Sequence, residues 1–141
     1  MNYLPWALVA LAAYTLVPLL MRIATTGPNA IPSDVAAIIS NTVLVLGAAA
    51  VVVGTDQRVG PHLSSSKLPY ALAAGVFLAI GILTYYRALS LGPVSVVTPV
   101  FGMFLVTSSA FGMAFLDESV TARKLVGIGL AVVAVYLVTV D

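Results

Sequence analysis

Five long apolar stretches follow one another along the chain, separated by short polar segments. We expect helices over residues of about 3–22, 34–55, 68–90, 94–116 and 123–140. Each stretch is close to the roughly 20 apolar residues that a helix needs to cross a bilayer. The apolar residues are continuous and do not alternate with polar ones, which argues against a membrane β-barrel. The pattern therefore predicts an all-α membrane protein with five transmembrane helices.

The polar segments carry residues that typically end and begin helices. Ser33 and Asp34 stand at the start of the second stretch, where side-chain oxygens commonly accept hydrogen bonds from free backbone N–H groups. The longest predicted loop covers residues 56–67, and Gly92 with Pro93 separates the third stretch from the fourth. The connections are thus short enough to predict one domain over residues 1–141.

Two prolines lie inside predicted helices, Pro18 in the first and Pro99 in the fourth. Each is expected to kink its helix, because proline has no N–H and clashes with the preceding turn. The carbonyl freed by Pro99 lies near Ser95, and broken helices at membrane depth often line a binding site. A kink that serves only packing is the alternative.

Composition excludes the soluble classes of function. Of 141 residues, 61% are hydrophobic and 8% are charged, whereas a soluble domain carries about 25% charged residues. This rules out a soluble enzyme domain and a nucleic-acid binder that depends on a basic patch. The chain has no cysteine and one histidine, and it has no phosphate-binding loop or nucleophile elbow. We therefore expect no enzymatic activity, no cofactor and no metal.

The basic residues orient the helices only weakly. With five helices, the N-terminal side of the membrane has four basic residues and the opposite side has two, Arg22 and Arg87; the four are Arg58, Lys67, Arg123 and Lys124. The excess favours an N-terminus inside the cell. Because one or two changes would erase it, the unit could insert in both orientations, as the two halves of many transporters do.

Polar residues within the spans are the candidates for binding a substrate. Arg87 is the strongest, because an ionisable residue at membrane depth costs at least about 2.5 kcal/mol; it would hold an anionic group or anchor at the interface. Arg22 has the same two readings, with the anchor favoured. Asn41 is predicted to line a cavity or to bond another helix. No Asp or Glu lies mid-span, which disfavours a carboxylate-driven proton antiporter.

The run from Tyr85 to Ser95, YYRALSLGPVS, resembles the signature of the EamA-like domain, in which YxxAL precedes a short break and small residues. Pro99 stands where that family has a proline in its fourth helix. The segment 116–121, LDESVT, resembles the family's LGE-x-hydrophobic-T turn, with Asp117 in place of the usual glycine. Glu118 matches a turn position that is expected to be structural.

The resemblance extends over the whole chain. Residues 125–129 resemble the start of the family's last helix, and Tyr14 to Arg22 resembles its WG…K first helix, with Tyr14 in the tryptophan's place. The resemblance implies one five-helix EamA-like repeat of the drug/metabolite transporter superfamily, in which most relatives carry two inverted repeats. It further implies a central cavity lined by Tyr14, Tyr85, Ser95, Thr98 and Met103.

The implied function is a half-size transporter in the cell membrane. It would move small organic solutes, such as metabolites, amino acids or drugs, by alternating access. Its partners would be the lipid bilayer, the solute and either a second inverted copy or another short inverted subunit, without nucleic acid. Two alternatives remain at this point: a non-transporting subunit or accessory of another membrane protein, and a subunit of a lipid-linked sugar flippase.

Overall fold

The computed structural model describes residues 3–116 and 118–140. Within these ranges the chain forms five helices and one 3₁₀ turn at Gly60–Ser64, with no β-strand. The predicted all-α fold class is therefore confirmed. Asp117, which replaces the glycine of the family turn, and the C-terminal Asp141 lie outside the described residues. The helices are α1 (Leu4–Ala24), α2 (Ser33–Gly54), α3 (Leu68–Leu91), α4 (Val94–Phe115) and α5 (Ala122–Thr139).

All five helices are long and apolar enough to cross a membrane. The shortest, α5, has 18 residues and the longest, α3, has 24. At 1.5 Å per residue these lengths correspond to about 27 and 36 Å, against a hydrocarbon core of about 30 Å. The chain is therefore a multi-pass membrane protein, and α5, the shortest helix, is still long and apolar enough to be a candidate span.

The predicted cap of α2 is wrong. Ser33 is the first helical residue and Pro32 holds the capping position, so no side chain accepts a bond from the free N–H groups of this helix. The Ser33 hydroxyl instead donates to Asp34 Oδ1 at 3.4 Å. A capping bond does form at α5, where Thr121 Oγ1 accepts from the backbone N–H of Lys124 at 3.3 Å.

The first helix runs two residues beyond its predicted end and stops at Ala24. Its last carbonyls are satisfied locally, because the hydroxyls of Thr25 and Thr26 donate to the carbonyls of Met21 and Arg22 at 2.7 and 2.6 Å. Gly27 then turns the chain with φ of +95°, a conformation that costs glycine little.

The chain divides into two compact units, residues 1–90 and residues 91–141. The first unit holds α1, α2 and nearly all of α3. Its buried residues lie where α1 ends, α2 begins and α3 ends; they are Pro18, Met21, Thr25, Ser33, Ala36, Ala37, Tyr85, Tyr86 and Leu89. We call this group the closed end of the first unit. The other parts of the three helices expose their apolar side chains.

The second unit is a hairpin of α4 and α5, which pack against each other. Its one buried residue among those described is Gly112. A Cβ atom at Gly112 would lie 3.3 Å from the carboxyl group of Glu118. The glycine therefore allows the Glu118 side chain to lie against α4 just after that helix ends.

Candidate functional site

The candidate substrate residues of α1 and α3 have very different surroundings. Tyr14 is 66% exposed in the middle of α1, and Arg87 is exposed near the end of α3. Tyr85, in contrast, is 7% exposed, and its ring centroid lies 6.0 Å from that of Tyr86. Tyr14 and Arg87 are thus available to a ligand or a partner, whereas Tyr85 belongs to the closed end.

Asn41 satisfies its amide within its own helix. Its Nδ2 donates to the carbonyl of Ala37, one turn earlier, at 2.8 Å, and the residue is half-buried. This amide thus bonds within its own helix and not, in this bond, to another helix, while the predicted cavity-lining role stays a prediction. The second N–H of the amide and the side-chain carbonyl oxygen are the groups left for a ligand.

The candidates in the second unit cluster near the start of α4. Ser95 is exposed, while Thr98, Pro99 and Met103 are half-buried. Residues three or four apart on a helix share a face, so Ser95, Thr98 and Pro99 neighbour one another and Met103 follows one turn later. The structure thus places these four residues on one side of the first three turns of α4.

Most other hydroxyl groups in the spans bond back to their own helices, as expected for serine and threonine in apolar surroundings. Thr15 donates to Leu11, Thr84 to Ile80 and Gly81, and Ser109 to Leu105. The Thr107 hydroxyl does the same toward Met103. These side chains offer less to a solute than their polarity suggests.

The two mid-helix prolines change the backbone beside two candidate residues. Pro18 and Pro99 have no N–H, so the carbonyls of Tyr14 and Ser95 lack their regular helical donor. A carbonyl without that donor is a hydrogen-bond acceptor at membrane depth, where such groups line cavities. Tyr14 and Ser95 therefore combine a polar side chain with a freed backbone acceptor.

Arg22 has a partner that its sequence position did not indicate. Its Nη1 donates to the backbone carbonyl of Leu89, 67 positions away, at 2.6 Å. The two residues join the last turns of α1 and α3 at the closed end. The sequence favoured an interfacial anchor for Arg22. It could not predict this bond, because hydrophobic periodicity does not show which helix ends lie close together.

A groove opens at the opposite end of α4 from the candidate residues. It measures about 380 Å³ and is lined by polar Ser109, Glu118 and Lys124 among apolar side chains. The Lys124 ammonium group donates to the Ser119 carbonyl at 2.7 Å. The described residues include no group of three His, Cys, Asp or Glu side chains placed to hold a metal ion. From the sequence, this end of the hairpin was predicted only to form a structural turn.

Comparison with known proteins places these features in a family. The profile of the EamA-like transporter family matches residues 1–140. A Sinorhizobium protein named as an uncharacterised transporter in the cobO 3' region is 29% identical over 136 residues, which cover 96% of this chain and 94% of that protein.

A second relative is an uncharacterised protein of Methanocaldococcus jannaschii. It is 30% identical over 87 residues, which cover 62% of this chain. The match spans 58% of that protein, less than two thirds of its length. No solved structure matches the chain significantly.

Proposed function

The chain belongs to the EamA-like transporter family, and from that premise we propose that it works as a half-size transporter in the cell membrane. Two inverted copies would form one path for small organic solutes by alternating access. One observation carries the proposal: the family match covers residues 1–140, yet the described chain has five helices, one repeat of the family's fold. A path between two repeats needs a second five-helix repeat beside the one described, and we propose that a second inverted copy supplies it.

The lengths of the relatives support a single repeat. The 136 matched residues are 94% of the Sinorhizobium protein, so its length is about 145 residues. A protein named as a transporter is therefore itself about the size of this chain. The weak excess of basic residues, four against two, supports insertion in both orientations.

The polar groups favour a solute with both an anionic and a hydrogen-bonding part. Arg87 is an exposed guanidinium that suits a carboxylate or phosphate. In the same unit as Arg87, the freed carbonyl of Tyr14 can accept a hydrogen bond from an ammonium or hydroxyl group of the solute. Amino acids and small organic acids are therefore the first solutes to test.

Flux in proteoliposomes tests this proposal. We expect uptake of at least one labelled amino acid or organic acid, with a fall of about tenfold in Arg87→Gln because a hydrogen bond to a charged group is lost. Arg123→Gln removes an exposed arginine at the start of α5 and serves as the matched control, with flux near that of the parent. Tyr85→Phe removes only the hydroxyl and leaves the buried ring in place.

The same preparation distinguishes the alternatives. Reporters at the C-terminus are expected on both sides of the membrane, and cross-linking is expected to give a dimer. A folded dimer that moves none of the solutes contradicts the proposal and favours an accessory subunit. Movement of a lipid-linked sugar alone favours the flippase.

A further inference from the structure

We propose that the hydrogen bond between Arg22 and Leu89 is a latch that keeps the closed end of the first unit shut. Its use as a gate during transport rests on the proposed function. The latch itself does not, because it follows from the chemistry of the α3 terminus and from where the buried residues lie.

The Leu89 carbonyl needs a donor that its own helix does not supply. In an α-helix this carbonyl would accept from the N–H of the residue four positions later. That residue is Pro93, which has no N–H. Leu89 has 0% exposed surface, so water does not reach its carbonyl, and a buried polar group without a partner is strongly unfavourable.

Arg22 is suited to donate the missing hydrogen bond to the Leu89 carbonyl. It lies in the last turn of α1, and its Nη1 reaches the Leu89 oxygen at 2.6 Å. A positive charge at the C-terminus of a helix also interacts favourably with the helix dipole. The nearby hydroxyls of Thr25 and Thr26 are already donated within α1, so they do not take its place.

Burial within the first unit is confined to the end that holds this bond. Ala37 near the start of α2 is 3% exposed and Tyr86 near the end of α3 is 5% exposed. At the other ends of the same helices, Trp6 is 79%, Val53 is 75% and Tyr70 is 73% exposed. Burial in the first unit is thus concentrated where α1 ends, α2 begins and α3 ends, and Arg22 supplies a long-range polar bond there.

The competing role for Arg22 is an anchor at the lipid interface. A comparison of Arg22 with Arg87 distinguishes this role from the latch. Arg87 lies two residues before Leu89 and is exposed. Both arginines stand near the ends of helices at the same end of the unit. A general loss of interfacial charge would affect the two alike, whereas a latch depends on Arg22 alone.

Cysteine labelling tests the latch, and the chain has no native cysteine. Ser33→Cys is a near-isosteric reporter at the closed end, where Ser33 is 5% exposed. We expect a membrane-impermeant maleimide to label it about tenfold faster when Arg22→Gln is added, because the lost bond is to a charged group. Arg87→Gln should leave the rate unchanged. Asn29→Cys, in the exposed loop after α1, reports the unhindered rate in every background.

Equal rates for Ser33→Cys with and without Arg22→Gln would overturn the latch, as would equal increases in Arg22→Gln and Arg87→Gln. If Arg22→Gln does not fold, Arg22→Met decides, since methionine keeps an unbranched side chain but has no hydrogen-bond donor; faster labelling supports the latch and an unchanged rate refutes it. Labelling is measured without solute, so it stands or fails independently of the flux assay.

Discussion

The two units of the chain are stabilised by different means. Residues 1–90 bury a small group of side chains at one end and join α1 to α3 through Arg22 and the Leu89 carbonyl. Residues 91–141 bury one described residue, Gly112, and rely on the packing of α4 on α5 and on local bonds around Thr121. Lipid is as apolar as leucine, so burial alone gives little drive for helices to associate. The comparison shows that a polar bond between α1 and α3 in the first unit, and close helix packing in the second, take the place of that driving force.

The largest effect that separates the two units is expected at Leu89. Leu89→Ala removes the side chain of a residue with no exposed surface, and such a cavity costs about 2–5 kcal/mol. Leu130→Ala in α5 is the matched control, because Leu130 is 65% exposed and its loss should change stability by no more than about 0.5 kcal/mol. Thermal unfolding in detergent measures both, and equal losses would contradict the proposed difference between the units.

An intermediate effect is expected at the start of α5. Thr121→Ala removes the cap that accepts from the Lys124 N–H, and loss of a cap costs about 1 kcal/mol. Thr107→Ala removes a hydroxyl that bonds back within α4 and should be neutral or slightly stabilising. The free energy of unfolding of the two variants is the measurement. A loss in Thr107→Ala as large as that in Thr121→Ala would show that the cap has no special role.

The five helices could be predicted because the bilayer fixes the length of a spanning helix. Apolar runs of 18 to 24 residues with few charges are assigned as one transmembrane helix each. The end of α4 and the start of α5 also followed from their polar turn. What the pattern fixes is the depth of each residue in the membrane.

The sites could be predicted less well, because these helices are apolar on all sides. Without a polar stripe, the sequence does not show how each helix is rotated or which neighbours it meets. Arg22 and Leu89 are therefore joined in the structure and unrelated in the sequence pattern. Asn41 and Ser33 were assigned bonds from residue type alone, and local backbone geometry directs their side chains elsewhere.

The smallest expected effect concerns the close approach in the second unit. Gly112→Ala would place a Cβ 3.3 Å from the Glu118 carboxyl group, which is the movable end of an exposed side chain. The gain in helix propensity over glycine, up to about 1 kcal/mol, should therefore be partly cancelled. Gly127→Ala is the control, because no atom lies within 4 Å of its added Cβ, and it should give the full gain. In a Glu118→Ala background, unfolding measurements should show that Gly112→Ala stabilises as much as Gly127→Ala; a persistent deficit would mean that something other than Glu118 occupies that space.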